Sequence, residues 1–405
     1  MSTIDMPMTR PRLPAYGLFA GLLAAAGLPV YLHAPKFYAD NYGLSLAALG
    51  STLFVLRLLD VVQDPLLGRL AERLRHHRAG AVGLAVAVMA AGMVGLLAVA
   101  PPIAPLLWLA LTLTAVFSGY SFLTICFYAQ GVATAQELGP HGHLRLARWR
   151  ETGALLGVCA AALAVPLAGY AAAFALLALA ATLAMRVEWD TSRLPVSGGL
   201  RPILADRPAR RLLLIAFLNA APVAVSSILF LFFVESRLQA PGLEGPLLLL
   251  FFLSAAAAAP LWSWLAERHG AKRVLLAAMV LAVLSFGGAL ALGPGDALPF
   301  ALVCLASGAA TGADLTLLPA LFARRMARVS PAAAEGFGLW TFMSKLTLAF
   351  AAVAVLPPLE AAGFRPGAGN PPEALALLGL LYAGLPCLLK LAAIALLAAT
   401  NPDED

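Results

Sequence analysis

Charge is scarce in this sequence. Of its 405 residues only 12% are Asp, Glu, Lys or Arg, while 61% are hydrophobic, and the mean hydropathy is +0.87. No soluble globular protein of this size has that composition. Cysteine is scarcer still. Cys126, Cys159, Cys304 and Cys387 lie within apolar runs and share no metal-ligand spacing. That argues against a disulfide framework and a thiolate metal site, and leaves them as small packing residues. The six histidines (His33, His76, His77, His141, His143 and His269) fall at the ends of apolar runs or between them. No His lies at depth beside an acid, so neither a metal site nor a Ser-His-Asp hydrolase is expected, and the chain reads as no enzyme and as needing no cofactor. No polar stretch is long enough to form a separate extramembrane domain.

Apolar runs near 20 residues are abundant and recur along the whole chain, which is the pattern of an all-α polytopic membrane protein. The first run, near Tyr16–Leu32, is followed by Ala-Pro-Lys-Phe-Tyr with no small-residue cleavage site, and reads as a retained helix. The first span is expected over Leu13–His33, the second over Leu44–Leu70, the third over Ala81–Val99 and the fourth over Leu106–Gln130. A fifth runs to about Leu167 and a sixth ends near Met185. A polar, Pro- and Gly-containing stretch from Arg186 to Arg211 then breaks the pattern. Six more spans follow, near Leu212–Val234, Leu247–Leu265, Val274–Leu292, Leu298–Phe322, Phe337–Leu356 and Leu375–Ala399. The division is an N-terminal six-helix bundle over 1–187, a linker over 188–210 and a C-terminal six-helix bundle over 211–405.

The formal net charge of +6 does not indicate nucleic acid, because the basic residues collect in alternate loops. The opposite loops hold only Lys36, Arg237 and Arg365. By the positive-inside rule both termini are cytoplasmic, as expected in a bacterial inner membrane. The partners implied are the lipid bilayer and a small-molecule substrate, with the chain acting as a monomer.

The two halves share a repeat. Pro65-Leu-Leu-Gly-Arg-Leu-Ala-Glu-Arg73 matches Pro260-Leu-Trp-Ser-Trp-Leu-Ala-Glu-Arg268, each where the second span of a half enters a basic loop. A 6+6 repeat of this kind is the signature of the major facilitator fold, whose halves rock around a midplane site. The repeat also exposes a difference, since the places of Asp60 and Asp64 fall on Ala255 and Ala259 in the second half.

That acidic pair lies in the most unusual stretch of the chain, Val55 to Arg73. Arg57, Asp60 and Asp64 stand at i, i+3 and i+7, one face of a helix. Each ionised group near the middle of a membrane helix costs roughly 2.5–3.5 kcal/mol on insertion scales. Three together point to an ion or substrate pathway, with an internal salt-bridge network as the alternative. Asp314 in the tenth span and Lys345 in the eleventh fall at a similar depth, and a buried Lys needs a counter-charge. Asp314 and the second-span acids are its candidate partners. Arg150 and Glu151, at the start of the fifth span, are either functional or ordinary anchors. Lys390 is expected to snorkel to the inner surface, and Asn219 either lines a cavity or bonds across helices. Tyr128, Trp149 and Trp340 can form aromatic walls for a ligand or belong to an interfacial belt.

Arg57-Leu-Leu-Asp60-Val-Val-Gln63-Asp64-Pro65-Leu-Leu-Gly68 resembles the Arg-x-x-Asp-x-x-Asn-Asp-Pro-x-x-Gly hallmark of the melibiose-permease-like glycoside–pentoside–hexuronide:cation symporters, a family of the major facilitator superfamily. Gln63 stands where Asn is usual. Arg148-Trp149-Arg150-Glu151-Thr152-Gly153 resembles the start of that family's fifth helix, and the segment from Gly336 through Trp340 to Lys345 resembles its eleventh. The resemblance implies a Na⁺- or H⁺-coupled transporter of a small polar solute, a sugar or glycoside. It places the coupling cation on Asp60 and Asp64 and the substrate near Arg150, with Lys345 linking the two sites. A hard Na⁺ prefers several oxygen ligands, for which Gln63 and Thr124 are additions, and Tyr128, Trp149 and Trp340 would add substrate contacts beside Arg150 and Lys345. Arg57 and Asp314 would complete a charge network, and Glu72, Arg73, Glu267 and Arg268 would form gating salt bridges in the two matching loops. The acids that hold sugar elsewhere in the family are not kept: Ala24 takes one place, and Thr124, Ile125 and Cys126 fill the neighbourhood of the other. A lysolipid or other amphiphile is therefore the alternative substrate, and a non-transporting assembly or sensor protein the rival reading.

Overall fold

A computed structural model describes residues 12–27, 30, 34–44, 46–162, 167–189, 199–330, 333–365 and 369–400. Within them the chain is helical, with no strand. The first half contains α1 (Leu13–Ala25), α2 (Ala34–Tyr42), α3 (Leu46–Arg73), α4 (Arg78–Leu97), α5 (Pro105–Glu137), α6 (Gly142–Ala162) and α7 (Leu167–Met185). A short α8 (Leu200–Ala205) follows. The second half contains α9 (Arg207–Phe232), α10 (Glu244–His269), α11 (Ala271–Gly287), α12 (Ala297–Val329), α13 (Ala334–Ala361), α14 (Pro372–Gly379) and α15 (Leu385–Ala398). Phe233–Arg237 extends α9 as a π-turn, and a second π-turn at Leu380–Gly384 joins α14 to α15. Counting α14 and α15 as one span and setting aside the short α2 and α8, two sets of six long helices result. This is the major facilitator fold.

Among the described residues, seven helices are long and apolar enough to cross a membrane by length and composition. α3 is not one of them, because its charges lower its hydropathy. Large apolar side chains cover the outside, among them Leu176, Leu284, Leu298 and Leu302. In water such a surface would aggregate; against lipid tails it costs nothing.

Two expectations are corrected here. α1 ends at Ala25, the end of the expected first span falls on residues 28, 29 and 31–33, which lie outside the described residues, and Ala34–Tyr42 forms a helix instead of a loop. The spans also run further on the basic side than hydropathy indicates. α5 reaches Glu137 rather than Gln130, and α12 reaches Val329 rather than Phe322. Hydropathy falls where charges begin, whereas hydrogen-bonded turns continue past the apolar layer. Residues 190–198 of the expected linker lie outside the described residues.

Without a hydrophobic force between helices in lipid, small residues decide which helices meet closely. α1 and α6 touch backbone to backbone. A methyl group added at Gly153 would fall 2.1 Å from the Gly17 carbonyl oxygen, and one at Gly157 would fall 2.3 Å from that of Gly21. α10 and α12 use the same device, with Gly308 against Phe251 and Gly312 against Ala255. α3 packs on both α5 and α13, and α6 packs on α10 and α12. The α3–α13, α6–α10 and α6–α12 contacts join the two halves.

At the basic-loop face Asp206 caps α9, its Oδ1 accepting the Ala209 N–H at 2.7 Å. It also receives Arg325 of α12 through two hydrogen bonds, 3.0 Å from Nε and 2.5 Å from Nη2. Burial pushes the Asp206 carboxyl up, but the Arg325 guanidinium and the Ala209 N–H outweigh it and hold the group below the ordinary range. A folded-state value below the unfolded one means that stability is present above the unfolded value and is lost as pH falls through the folded one. Asp206→Ala is expected to lower stability by roughly 1–2 kcal/mol at neutral pH, as for loss of a cap. In an acid titration of the melting midpoint, the gap between wild type and variant should close below the carboxylate range.

Candidate functional site

α3 sorts its side chains by face. Leu58, Leu59, Val62 and Leu66 are exposed to lipid, while Leu56, Asp60, Asp64, Gly68 and Ala71 form a buried stripe. Their spacing of three to four residues is one side of a helix. The acids therefore lie on the buried side of a helix whose other side faces lipid.

Lys345 of α13 reaches across from the second half and donates to Asp60 Oδ1 at 2.6 Å and to Asp64 Oδ1 at 3.0 Å. Its third donor meets Ser121 Oγ of α5 at 2.5 Å, and Ser121 in turn donates to Asp60 Oδ1 at 3.0 Å. Gln63 Nε2 donates to Asp60 Oδ1 at 3.1 Å, and Ser118 Oγ donates to Gln63 Oε1 at 2.9 Å. The Asp64 side chain has no exposed surface, and its Oδ2 is buried without a hydrogen-bond partner. A buried carboxylate oxygen left unpaired is costly. It is also a place where a proton or a small cation would gain most.

Small residues make this meeting possible. A methyl group at Gly338 of α13 would fall 3.0 Å from the Asp64 carbonyl oxygen, and one at Gly68 of α3 would fall 3.1 Å from that of Ala334. With the backbones this close, a Lys two turns further along α13 can span to both acids. Pro65, having no N–H, cannot close the helical hydrogen bond to the Val61 carbonyl, so the backbone beside Asp64 carries one more acceptor than a regular helix would.

Arg150 forms a second buried cluster on α6 and α5. Its Nε is 2.6 Å from Glu151 Oε1, and its guanidinium lies 4.0 Å from the centre of the Tyr128 ring. The Tyr128 hydroxyl donates to Glu151 Oε1 at 3.4 Å. That ring also meets Phe337 of α13, centroids 4.9 Å apart. Arg150 and Glu151 are both buried, which removes the reading of ordinary surface anchors. Trp340 packs against Phe322, centroids 4.9 Å apart, and belongs to the interior rather than to a belt. Trp149 is 39% exposed.

Several sequence expectations change. Asp314 does not join the Lys345 network. It pairs with Lys390 of α15, which also donates to Asn219 Oδ1 of α9 at 2.7 Å. Lys390 therefore does not snorkel: it is buried, and its ammonium is held by two partners inside the second half. Depth along a helix axis put Asp314 beside Lys345, but the two project from helices that face different neighbours. The Thr124 hydroxyl is buried without a partner; Ser121, one turn earlier, bonds Asp60, and Ser118 bonds Gln63. The spacing of Ser118 and Ser121, three apart on a span facing the acidic stretch, was the available signal. The Arg57 side chain lies outside the described residues.

Glu72 pairs with Arg75 on the same chain turn at 3.8 Å, and Arg268 stacks over Trp264 at 3.9 Å. Arg73 is exposed at the end of α3. Glu267 instead reaches Arg145 of α6 at 3.9 Å, across the boundary between halves. Arg145 is exposed and Glu267 half-buried, and at 3.9 Å the pair is worth little to stability.

Comparison with known proteins agrees with the architecture. A family model described as MFS/sugar transport protein matches residues 14–404. Among solved structures, an outward-facing bacterial homologue of the iron transporter ferroportin superposes with a TM-score of 0.68 at 14% identity, covering 96% of this chain and 99% of its own. The E. coli fucose:proton symporter FucP superposes with a TM-score of 0.64 at 15% identity, covering 94% and 97%. The nucleoside transporter NupG gives 0.60 at 14%, covering 95% and 100%. No curated protein matches the sequence. At these identities the structures speak for the fold, while the family model covers nearly every residue: this chain is an integral membrane transporter protein of the major facilitator superfamily and belongs to its MFS/sugar transport protein family.

Proposed function

We propose that the protein is a cation-coupled symporter of a small polar solute, a sugar or glycoside, working as a monomer by alternating access. The observation that carries this reading is the bridge from Lys345 to Asp60 and Asp64 between the two halves. Two carboxylates share one ammonium, and Asp64 Oδ2 has no partner. A coupling Na⁺ or H⁺ entering there would satisfy that oxygen and loosen the hold of Lys345 on the acids. The ammonium would then be free to turn towards substrate, which links the cation to the solute. Na⁺ would draw oxygens from Asp60, Asp64 and Gln63; H⁺ needs one carboxylate only.

The substrate would sit on the other side of Lys345, towards Tyr128, Arg150 and Trp340. Glu151 keeps the Arg150 guanidinium stacked over Tyr128, so a hydroxylated ring could meet an aromatic face and a charged donor together. The inner gate would be the Glu267–Arg145 pair with the close α3–α13 contact, and it would part when the halves rock. The basic loops and both termini would face the cytoplasm of a bacterial inner membrane.

The test is thermal melting of purified protein in Na⁺, Li⁺ and choline media across a pH series, beside Asp60→Asn and Asp64→Asn. A cation that binds the folded state raises the midpoint by mass action, about 2.7 kcal/mol at a hundredfold excess over Kd. A Na⁺-specific rise in wild type that both variants lose supports sodium coupling; a pH-dependent rise tied to the same residues supports protons. No response to either ion, with unaltered variants, would sink the coupled-transporter reading. Uptake of labelled glycosides by proteoliposomes under the gradient so identified then tests the substrate class.

A further inference from the structure

The second half holds a cavity of about 130 Å³ that the Asp60 and Asp64 cluster does not use. Its walls are aromatic, with Phe230, Phe251, Phe252, Phe286 and Tyr382, and Lys390 is the one charged side chain among the described residues that line it. Lys390 is 5% exposed, and two of its three donors are taken by Asp314 and Asn219. An ammonium has three N–H donors and no acceptor, so one is left for an oxygen in the cavity.

Three hydroxyls of the lining are already engaged. Ser307 Oγ donates to the Val303 carbonyl, Thr311 Oγ1 to that of Ser307 and Ser226 Oγ to that of Val223. Their hydrogens are spent on their own helices. A sugar, with an acceptor and a donor at every carbon, would leave most of its groups unpaired here. A molecule with an apolar body and a single oxygen would not. The size agrees: an engineered apolar cavity of about 150 Å³ in another protein takes up benzene. Charge agrees as well. Asp314 already neutralises Lys390, so a carboxylate ligand would bring an uncompensated charge into a buried site at a cost of several kcal/mol, whereas a neutral oxygen would not.

We propose that this cavity binds a small neutral aromatic molecule with one oxygen acceptor, of the benzyl alcohol or phenol class, its ring among the phenylalanines and its oxygen on Lys390. The site lies wholly on α9 to α15 and is independent of the coupling reading above.

The test is ligand-observed fluorine NMR with 4-fluorobenzyl alcohol on purified full-length protein in nanodiscs, with 4-fluorotoluene and 4-fluorobenzoate as comparisons. Ser307→Leu fills the cavity and leaves the Lys390–Asp314 pair in place, and its signal defines partitioning into lipid. Wild type should show saturable binding of one alcohol per protein that Ser307→Leu abolishes. The toluene analogue should bind about tenfold more weakly, the equivalent of one hydrogen bond, and should regain parity with the alcohol in the double variant Lys390→Met, Asp314→Leu. Identical signals from wild type and Ser307→Leu would overturn the site. Equal affinity for alcohol and toluene in wild type would overturn the role of Lys390, and preference for the benzoate would overturn the neutral class.

Discussion

Lys345→Met should be the most damaging single substitution at the centre of the molecule. It removes the ammonium that Asp60 and Asp64, buried one turn apart, share. Breaking a buried ion pair from one side costs about 3–5 kcal/mol, because the abandoned charge remains desolvated. Here two like charges remain, so the upper end of that range is expected at neutral pH. The loss should be conditional. Lowering the pH, or adding the coupling cation, supplies the positive charge that the side chain no longer does. A melting series of Lys345→Met against pH and Na⁺ should therefore show recovery on acidification or on salt addition, larger than any change in wild type. Coupled uptake should fall to background under all conditions, since a restored fold does not restore the bridge between halves. If Lys345→Met melts like wild type at neutral pH, the ammonium is not what neutralises these acids.

Asp314→Leu should be nearly as severe, for a different reason. Lys390 would be stranded among aromatic rings with only the Asn219 oxygen as a partner. A loss of about 3–5 kcal/mol is expected from the single change. The double variant Asp314→Leu, Lys390→Met should return most of it, because replacing both members of a buried pair by apolar residues of similar size is often neutral. Chemical or thermal unfolding of wild type, both singles and the double closes a cycle, and a coupling of at least about 2 kcal/mol is expected. Additive single effects would mean that the two groups do not depend on each other. The same double variant separates the second half from the first: it should leave a cation response at Asp60 and Asp64 intact.

The close contact of α3 with α13 explains why the two sites differ. Gly68 and Gly338 bring these backbones together, so Lys345 crosses between halves and its bond can break when they part. Lys390 and Asp314 lie within one half. Nothing about rocking would separate them, which suits a fixed site better than a moving one.

Composition and periodicity were enough to establish helices, membrane and two halves, because an apolar layer about 30 Å thick forces every backbone group into a helix of some 20 residues. The same constraint made Asp60, Asp64 and Lys345 conspicuous, since a charge in that layer has few bland explanations. What a single chain order could not supply was azimuth. Depth put Asp314 and Lys345 at one level, and only the packing of α12, α13 and α15 shows that they face different partners. Hydropathy likewise gave Lys390 to the surface, although its four-carbon stem instead carries the ammonium inward to Asp314 and Asn219. The spacing of Ser118 and Ser121 marks one face of a helix, but only the packing of α5 on α3 shows that this face meets Asp60 and Gln63. Helix identity is written in local sequence, because it depends on hydrogen bonds four residues apart; which faces meet depends on where glycine lets two backbones touch, and that is settled only when all the helices are packed together.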